Sequence, residues 1–228
     1  MPRKLAIVGY GKMGKLIESL APAYDFTVAL KLDEFNNSRS EGLTPENFKN
    51  IDAAIEFSIP AAVPANVEGI ASFGVPIVVG TTGWLDHIDA VKASIDRHNS
   101  ALVWSPNFSI GVNAFFRIIA EAAKLLAAEP EYEAWAWEIH HSQKKDAPSG
   151  TLIKLVDEMK KAGYKNSISV GSNRAGSIAG THEIGFDSTA DTITLRHTAR
   201  SREGFARGAL KAAQWIIGKK GFHEFPVG

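Results

Sequence analysis

Leu5-Ala6-Ile7-Val8-Gly9-Tyr10-Gly11-Lys12-Met13-Gly14 decides the fold of this chain. Its first four residues form an unbroken apolar run of the length of a buried strand, and Met13, Leu16, Ile17 and Leu20 then recur at helical spacing. Between the two, Gly9, Gly11 and Gly14 match G-x-G-x-x-G. The first glycine lets the chain turn sharply, the second lets the backbone approach a pyrophosphate, and the third lets the helix pack close to the strand. A helix N-terminus in that place presents unpaired N–H groups to phosphates. Such a pattern is weak in isolation, because a tight strand–helix turn in another α/β protein can carry it. After a strand and at the start of a helix, residues Gly9 to Gly14 read as a dinucleotide loop.

The alternation continues outward. Phe26 to Leu30, Ile51 to Phe57, Val75 to Val79 and Ala101 to Trp104 read as strands. Ala61 to Phe73 and Trp84 to His98 read as helices, with Pro64 in a first turn where proline is tolerated. Strand–helix alternation predicts a parallel sheet covered on both faces, a Rossmann-type α/β domain. The pattern then changes. Asn113 to Ala128 predicts a long helix. Tyr132 to His141 alternates as an open-faced strand with Trp135, Trp137 and Ile139 on one side, and a further helix follows Thr151. Strands at Thr181 to Phe186 and Thr192 to Ala199, with no helix between them, predict an antiparallel sheet in a smaller α/β domain. The expected division is 1–107, completed by a returning C-terminal helix within 205–228, and 108–204.

Composition narrows the function. The 228 residues include 25 basic and 25 acidic side chains, so no basic excess points to nucleic acid. Lys219-Lys220 reads as a solvated helix end. The absence of cysteine excludes disulfides, thiolate-held zinc and thiol catalysis, and fits a reducing compartment. Met1-Pro2-Arg3-Lys4 leads straight into the first strand without the apolar stretch of a secretory signal, and no run approaches the roughly 20 apolar residues of a membrane span. The expectation is a soluble cytoplasmic protein.

Asp33 follows the second strand at about the spacing, some 20 residues after the loop, where a carboxylate meets ribose hydroxyls. It would repel a 2′-phosphate. Glu34 is next to it, and the basic Lys31 and Arg39 are only near in sequence, so the reading favours NADH over NADPH. Phe57-Ser58, Gly80-Thr81-Thr82-Gly83 and Ser105-Pro106-Asn107-Phe108 lie at successive strand ends, which face the ligand crevice of such a sheet. Gly80, Thr81 and Thr82 are positioned for nicotinamide, and Thr82 also for substrate. Turn chemistry alone explains each loop singly.

The second cluster is His140-His141-Ser142-Gln143-Lys144-Lys145-Asp146-Ala147-Pro148-Ser149-Gly150-Thr151. On a strand, His140 and His141 face opposite sides and so do different jobs. No H-E-x-x-H or comparable spacing suggests a metal, and none is expected. Lys144 beside other cations would be a usable proton donor. Ser149 or Thr151 can cap the helix carrying Leu152, Leu155, Val156 and Met159, and the cap with its N–H groups makes a seat for a carboxylate.

This stretch resembles the dihydrodipicolinate reductase (4-hydroxy-tetrahydrodipicolinate reductase) family, whose signature is His-His-x-x-Lys-x-Asp-Ala-Pro-Ser-Gly-Thr. Residues 140–151 match every fixed position. The likeness extends through Gly9 to Gly14, Gly80-Thr81-Thr82-Gly83, Pro106-Asn107-Phe108-Ser109, Arg174-Ala175-Gly176, His182-Glu183 and Thr194-Leu195-Arg196-His197. It implies reduction of a cyclic imine on the diaminopimelate route to lysine. His140 is then the catalytic histidine, Lys144 the proton donor, and His141, Gly150 and Thr151 substrate-carboxylate contacts. Gly9 to Gly14, Asp33, Gly80 to Thr82 and Ser105 to Phe108 become nucleotide contacts. A homotetramer, formed through the second domain's sheets, and closure of the two domains are implied as well. The chain departs from the family in being short, in a glycine loop one residue shorter than usual, and in Glu34, which stands where a basic residue is usual. Two alternatives share part of the pattern. Another nicotinamide-dependent amino- or imino-acid reductase would lack the Lys144 and Ser149-Gly150-Thr151 set. A nucleotide-sensing protein without chemistry would not need His140 with Lys144.

Overall fold

The computed structural model describes residues 1–225. The chain divides into two compact units, Met1–Ser109 together with the segment from Phe205 onward, and Ile110–Gly204.

The first unit is built on six parallel strands. In chain order these are β1 (Arg3–Val8), α1 (Lys12–Leu20), β2 (Phe26–Leu32), the short α2 (Pro45–Phe48), β3 (Ala53–Glu56), α3 (Val63–Ser72), β4 (Ile77–Val79), α4 (Ile88–Arg97) and β5 (Ala101–Trp104). The sheet order is β10-β5-β4-β3-β1-β2, where β10 (Gly221–Glu224) comes from the C-terminal segment and pairs in parallel with β5. Central strands are apolar throughout because helices cover both faces. Leu5, Ile7, Ile55 and Val103 point to one core, while Ala6, Val8, Val79 and Leu102 point to the other. The order reverses at β1, with β2 on one side and β3 on the other, and ligands bind at the strand ends beside such a reversal. The last helix of the chain (Glu203–Ile216) completes the first core with Ala206, Ala209, Leu210 and Ala213. Its Gly208 lies so close to Phe108 that a Cβ would stand 1.7 Å from that residue's carbonyl oxygen.

The second unit has two helices on one face of a four-stranded sheet ordered β7-β6-β8-β9. Here α5 is Ile110–Leu126, β6 Glu133–His140, α6 Gly150–Lys161, β7 Ile168–Arg174, β8 Thr181–Asp187 and β9 Thr192–Thr198; the last helix above is then α7. The sheet is mixed rather than antiparallel. β7 lies parallel to β6, while β6–β8 and β8–β9 are antiparallel. The parallel pair follows from α6, which crosses between β6 and β7. β7 escaped the sequence reading because Ser169, Gly171, Ser172 and Asn173 give it no apolar face. β10 escaped because Gly221-Phe222-His223-Glu224 contains a single apolar side chain and no apolar run. Ala134, Ala136, Ile184 and Phe186 face α5 and α6, packing against Ile119, Leu152, Leu155 and Met159.

Candidate active site

In the first unit, Gly9, Tyr10 and Gly11 line a cleft of about 720 Å³ together with Asp33, Glu34, Phe35, Phe57, Ser58 and Asn66. Gly9 has φ +95°, and a Cβ there would stand 2.2 Å from the Phe57 carbonyl oxygen, so only glycine fits the turn. Space is open around Gly11, where an added Cβ would meet no atom within 4 Å. Gly11 also caps α1 without any side-chain hydrogen bond, and the N–H groups of Lys12, Met13 and Gly14 in that first turn have no intrahelical partner. An uncapped helix N-terminus beside open space fits a pyrophosphate.

Asp33 accepts a 2.9 Å hydrogen bond from the Phe35 N–H, while its own N–H donates to Asn36 Oδ1 at 2.8 Å. This turn holds the Asp33 carboxylate at the rim of the cleft. None of the residues lining the cleft is basic. Lys31 instead pairs with Glu18 at 3.0 Å and lies over the Tyr10 ring.

The other predicted loops hold one another in place and do not line this cleft. Gly80 packs against the Phe57 ring, and the buried Thr81 donates its hydroxyl to Glu56 at 2.6 Å, while Thr82 is exposed. Ser105 Oγ donates to the Asn107 carbonyl at 2.8 Å, and Asn107 Oδ1 accepts from the Ser109 N–H at 2.9 Å. Pro106 is exposed, whereas Phe108 is a core residue packed on Phe57 and Phe225.

The second unit centres on a residue that the sequence reading did not single out, Glu138. Alternation along β6 puts it on the same face as Ala134, Ala136 and His140, and it is 0% exposed. Sheet register sets Ser172 of β7 on one side of it and His182 of β8 on the other, with Arg174 opposite His140. Glu138 Oε1 accepts from the Ser149 N–H at 2.8 Å, Arg174 Nη2 at 2.9 Å and Ser172 Oγ at 3.0 Å. Its Oε2 accepts from Ser149 Oγ and faces His182 Nε2 at 3.4 Å and His140 Nδ1 at 3.5 Å. Burial raises the proton affinity of this carboxyl. The bonds from Ser149, Arg174 and Ser172 outweigh burial and hold it below the usual carboxylate range. Burial also lowers His140 and, with the neighbouring His140 ring, takes His182 down to about 4. Both imidazoles are therefore neutral at neutral pH.

Glu138, His140 and His182 have ligand atoms within 4.8 Å of one another. The Arg174 guanidinium already places positive charge on Glu138, and serine donors meet both its oxygens. The Glu138 carboxylate is therefore satisfied by hydrogen bonds, while His140 Nδ1, His182 Nδ1 and Arg174 Nε lie buried without a hydrogen-bond partner.

The network fixes the rest of the signature. Ser149, only 2% exposed, is the N-cap of α6, its Oγ accepting from the Leu152 N–H at 3.2 Å. Its hydroxyl is thus engaged internally, and the surface of the seat falls to exposed Gly150 and half-buried Thr151. Beyond β6 the chain turns, with the Lys144 N–H donating to the His141 carbonyl at 3.1 Å. The group facing Lys144 Nζ is the carboxylate of Asp146, at 2.8 and 2.9 Å, where the sequence reading expected a cation. Asp146 is in turn held by Arg174, which donates to its carbonyl. His140 is buried and His141 half-buried just past the strand end, so the two do diverge.

A Rossmann-type nucleotide cleft on one unit and a histidine–lysine cluster at a helix N-terminus on the other define a nicotinamide-type oxidoreductase. Residues 3–108 match the model of the dihydrodipicolinate reductase N-terminus, and residues 111–225 that of its C-terminus. The chain belongs to the dihydrodipicolinate reductase family. It is 35% identical to the 4-hydroxy-tetrahydrodipicolinate reductase of Christiangramia forsetii, over 95% of this chain and 93% of that protein. It is 34% identical to the enzyme of the same name from Methanococcoides burtonii, over 90% of each. The dipicolinate-bound dihydrodipicolinate reductase of Paenisporosarcina sp. TG-14 shares the fold, with a TM-score of 0.76 at 22% identity over 98% of both chains. No helix among the described residues is long and apolar enough to cross a membrane.

Proposed function

We propose that this chain is a cytoplasmic enzyme that reduces the cyclic imine formed from 4-hydroxy-tetrahydrodipicolinate on loss of water, giving tetrahydrodipicolinate on the diaminopimelate route to lysine, with NADH preferred over NADPH. The observation that carries this reading is the Glu138 network. One buried carboxylate holds the cap of α6 and, through Arg174, the Lys144–Asp146 turn, with His140 Nδ1 3.5 Å from it.

A nicotinamide held by the first unit would supply hydride to the conjugated ring. Lys144 Nζ then gives its proton to the ring carbon left electron-rich, and Asp146 keeps the ammonium oriented. His140, neutral through burial, supports the developing charge with a hydrogen bond rather than with a charge of its own. The carboxylates of the substrate are held at the N-terminus of α6 by Gly150 and Thr151, with His141 as a further contact and Ser149 shaping the seat from behind. Gly9 to Gly14 would hold the pyrophosphate, Asp33 the ribose, and the loops at Phe57-Ser58, Gly80 to Thr82 and Ser105 to Phe108 the nicotinamide side. A coupled assay, with a synthase generating the substrate from pyruvate and aspartate semialdehyde, tests the whole reading. Substrate-dependent loss of reduced cofactor is expected. Its absence from folded, nucleotide-binding protein would favour another imino acid or a sensor.

The preference for NADH rests on Asp33 and Glu34 in a cleft without a basic lining residue. A phosphate about 4 Å from a surface carboxylate costs about 1–4 kcal/mol. The expected kcat/KM is therefore at least about fivefold higher with NADH, and equal values would sink the inference.

A homotetramer is proposed through the face of the second unit's sheet that α5 and α6 leave uncovered. Trp135 lies flat over Gly185, where a Cβ would stand 2.1 Å from its ring. Trp137 is held by a 2.6 Å bond to Asn173 and lies beneath Arg196. The result is an aromatic face of the kind that symmetric interfaces bury. Trp137→Glu is expected to yield smaller species in analytical ultracentrifugation, and an unchanged tetramer would exclude this face.

A further inference from the structure

Glu56 is a buried carboxyl with no part in the chemistry above. It closes β3, after the apolar Ala53-Ala54-Ile55, and is 0% exposed. The register places it beside Val8 of β1 and Val79 of β4, at the carboxyl ends of three adjacent strands. Its Oε2 accepts from Thr81 Oγ1 at 2.6 Å, in the loop after β4. Its Oε1 accepts from the Ser58 N–H at 3.2 Å and from Ser58 Oγ, in the loop after β3, and from Asn66 Nδ2 at 3.3 Å, on α3. Asn66 and Ser58 line the nucleotide cleft. These partners from its own loop, from α3 and from the β4 loop are all uncharged, so the carboxyl lacks the counter-ion that Arg174 gives Glu138. Buried charge without a partner is costly, and a structural tie between loops needs no ionisable group.

We infer that Glu56 is a positioning residue for the nucleotide, joining the Phe57–Ser58 and Gly80–Thr82 loops and α3 into one cleft wall through a carboxyl that binds cofactor best while it keeps its proton. The inference rests on the reading of the first unit as an NADH site. Burial raises Glu56 above the usual carboxylate range, opposed by the bonds from Ser58, Thr81 and Asn66. A protonated carboxyl has one donor and one acceptor face, as an amide does, so in that form Oε2–H donates to Thr81 Oγ1 across the same 2.6 Å and Oε1 keeps its donors. Ionisation at higher pH would put an uncompensated charge behind the cleft and weaken the binding of an anionic dinucleotide.

The test is NADH binding followed by fluorescence titration between pH 6 and 9. Glu56→Ala is expected to raise the NADH Kd about tenfold or more, since several bonds each worth about three- to tenfold are lost together. Glu56→Gln is expected to stay within about threefold of wild type at pH 6. The wild-type Kd should rise with pH while that of Glu56→Gln stays flat. Folded Glu56→Ala that binds NADH like wild type overturns the inference, as do wild-type and glutamine variants whose Kd values change together with pH. Should Glu56→Ala not fold, Thr81→Val decides, because it keeps the shape and removes one donor. An unchanged Kd there also overturns the tie. Wild type that binds no NADH at all would instead refute the nucleotide reading of the first unit.

Discussion

Replacing Lys144 with alanine is expected to lower kcat by about a hundred- to ten-thousandfold, the range that a positioned general acid contributes, while the KM for NADH changes little. The asymmetry follows from placement. Lys144 belongs to the second unit, in the turn closed by its own N–H on the His141 carbonyl, whereas the residues lining the nucleotide cleft belong to the first. Asp146 accepts two bonds from Nζ, which fixes the ammonium as a donor rather than leaving it to sweep solvent. Lys144→Arg separates charge from proton transfer. A guanidinium keeps the positive charge and does not give up a proton in the accessible range, so kcat should stay low with substrate binding largely kept. Steady-state kinetics with both variants are the check. A kcat near wild type for Lys144→Ala would remove it from the proton-donor role, and full activity of Lys144→Arg would reduce its role to charge.

The second large effect belongs to Glu138. Removing its carboxylate leaves the partly buried Arg174 guanidinium without its acceptor and the Ser149 N–H and hydroxyl without theirs. Breaking a buried pair by deleting one partner costs about 3–5 kcal/mol. Glu138→Ala should therefore lower unfolding stability by that order, read from denaturant midpoints at pH 7. It should also raise the KM for substrate, because the cap of α6 loses its anchor. A loss under about 1 kcal/mol would show that the network relaxes around the gap. In wild type the same region gives an acid limb. Folded His182 is held near 4 by burial and by His140, and burial also lowers His140 and His197. An unfolded histidine takes up its proton near 6.5, so the unfolded state binds more protons between those values. Stability is then fully present above about 6.5 and falls as pH drops toward 4. A flat stability profile across that window would mean the three rings are not buried as neutral imidazoles.

Much of the architecture was legible in the chain because burial on both faces leaves a local signature. Leu5-Ala6-Ile7-Val8 and Ala101-Leu102-Val103-Trp104 read as strands without any neighbour being known, and Met13, Leu16, Ile17 and Leu20 read as a helix. β7 and β10 were not legible, since edge strands bury little and need no apolar pattern. With β7 missing, a mixed sheet read as an antiparallel one. The site divided in the same way. The twelve residues from His140 to Thr151 lie together in sequence, so their chemistry could be read there.

Their support could not. Glu138 looked like one polar residue in an alternating strand, and Glu56 like the end of an apolar one. Sequence by itself determined the two-part α/β plan, the dinucleotide loop and the histidine–lysine–serine–glycine–threonine cluster, because each is a short-range pattern set by period, turn geometry and spacing. Only the tertiary structure decided that Glu138 gathers Ser149, Ser172, Arg174 and His182 from 11 to 44 positions away, that Asp146 rather than a cation meets Lys144, and that Glu56 lies without a counter-ion behind the cleft. Those contacts depend on strand register and on exclusion of water, which exist only once the sheets have formed.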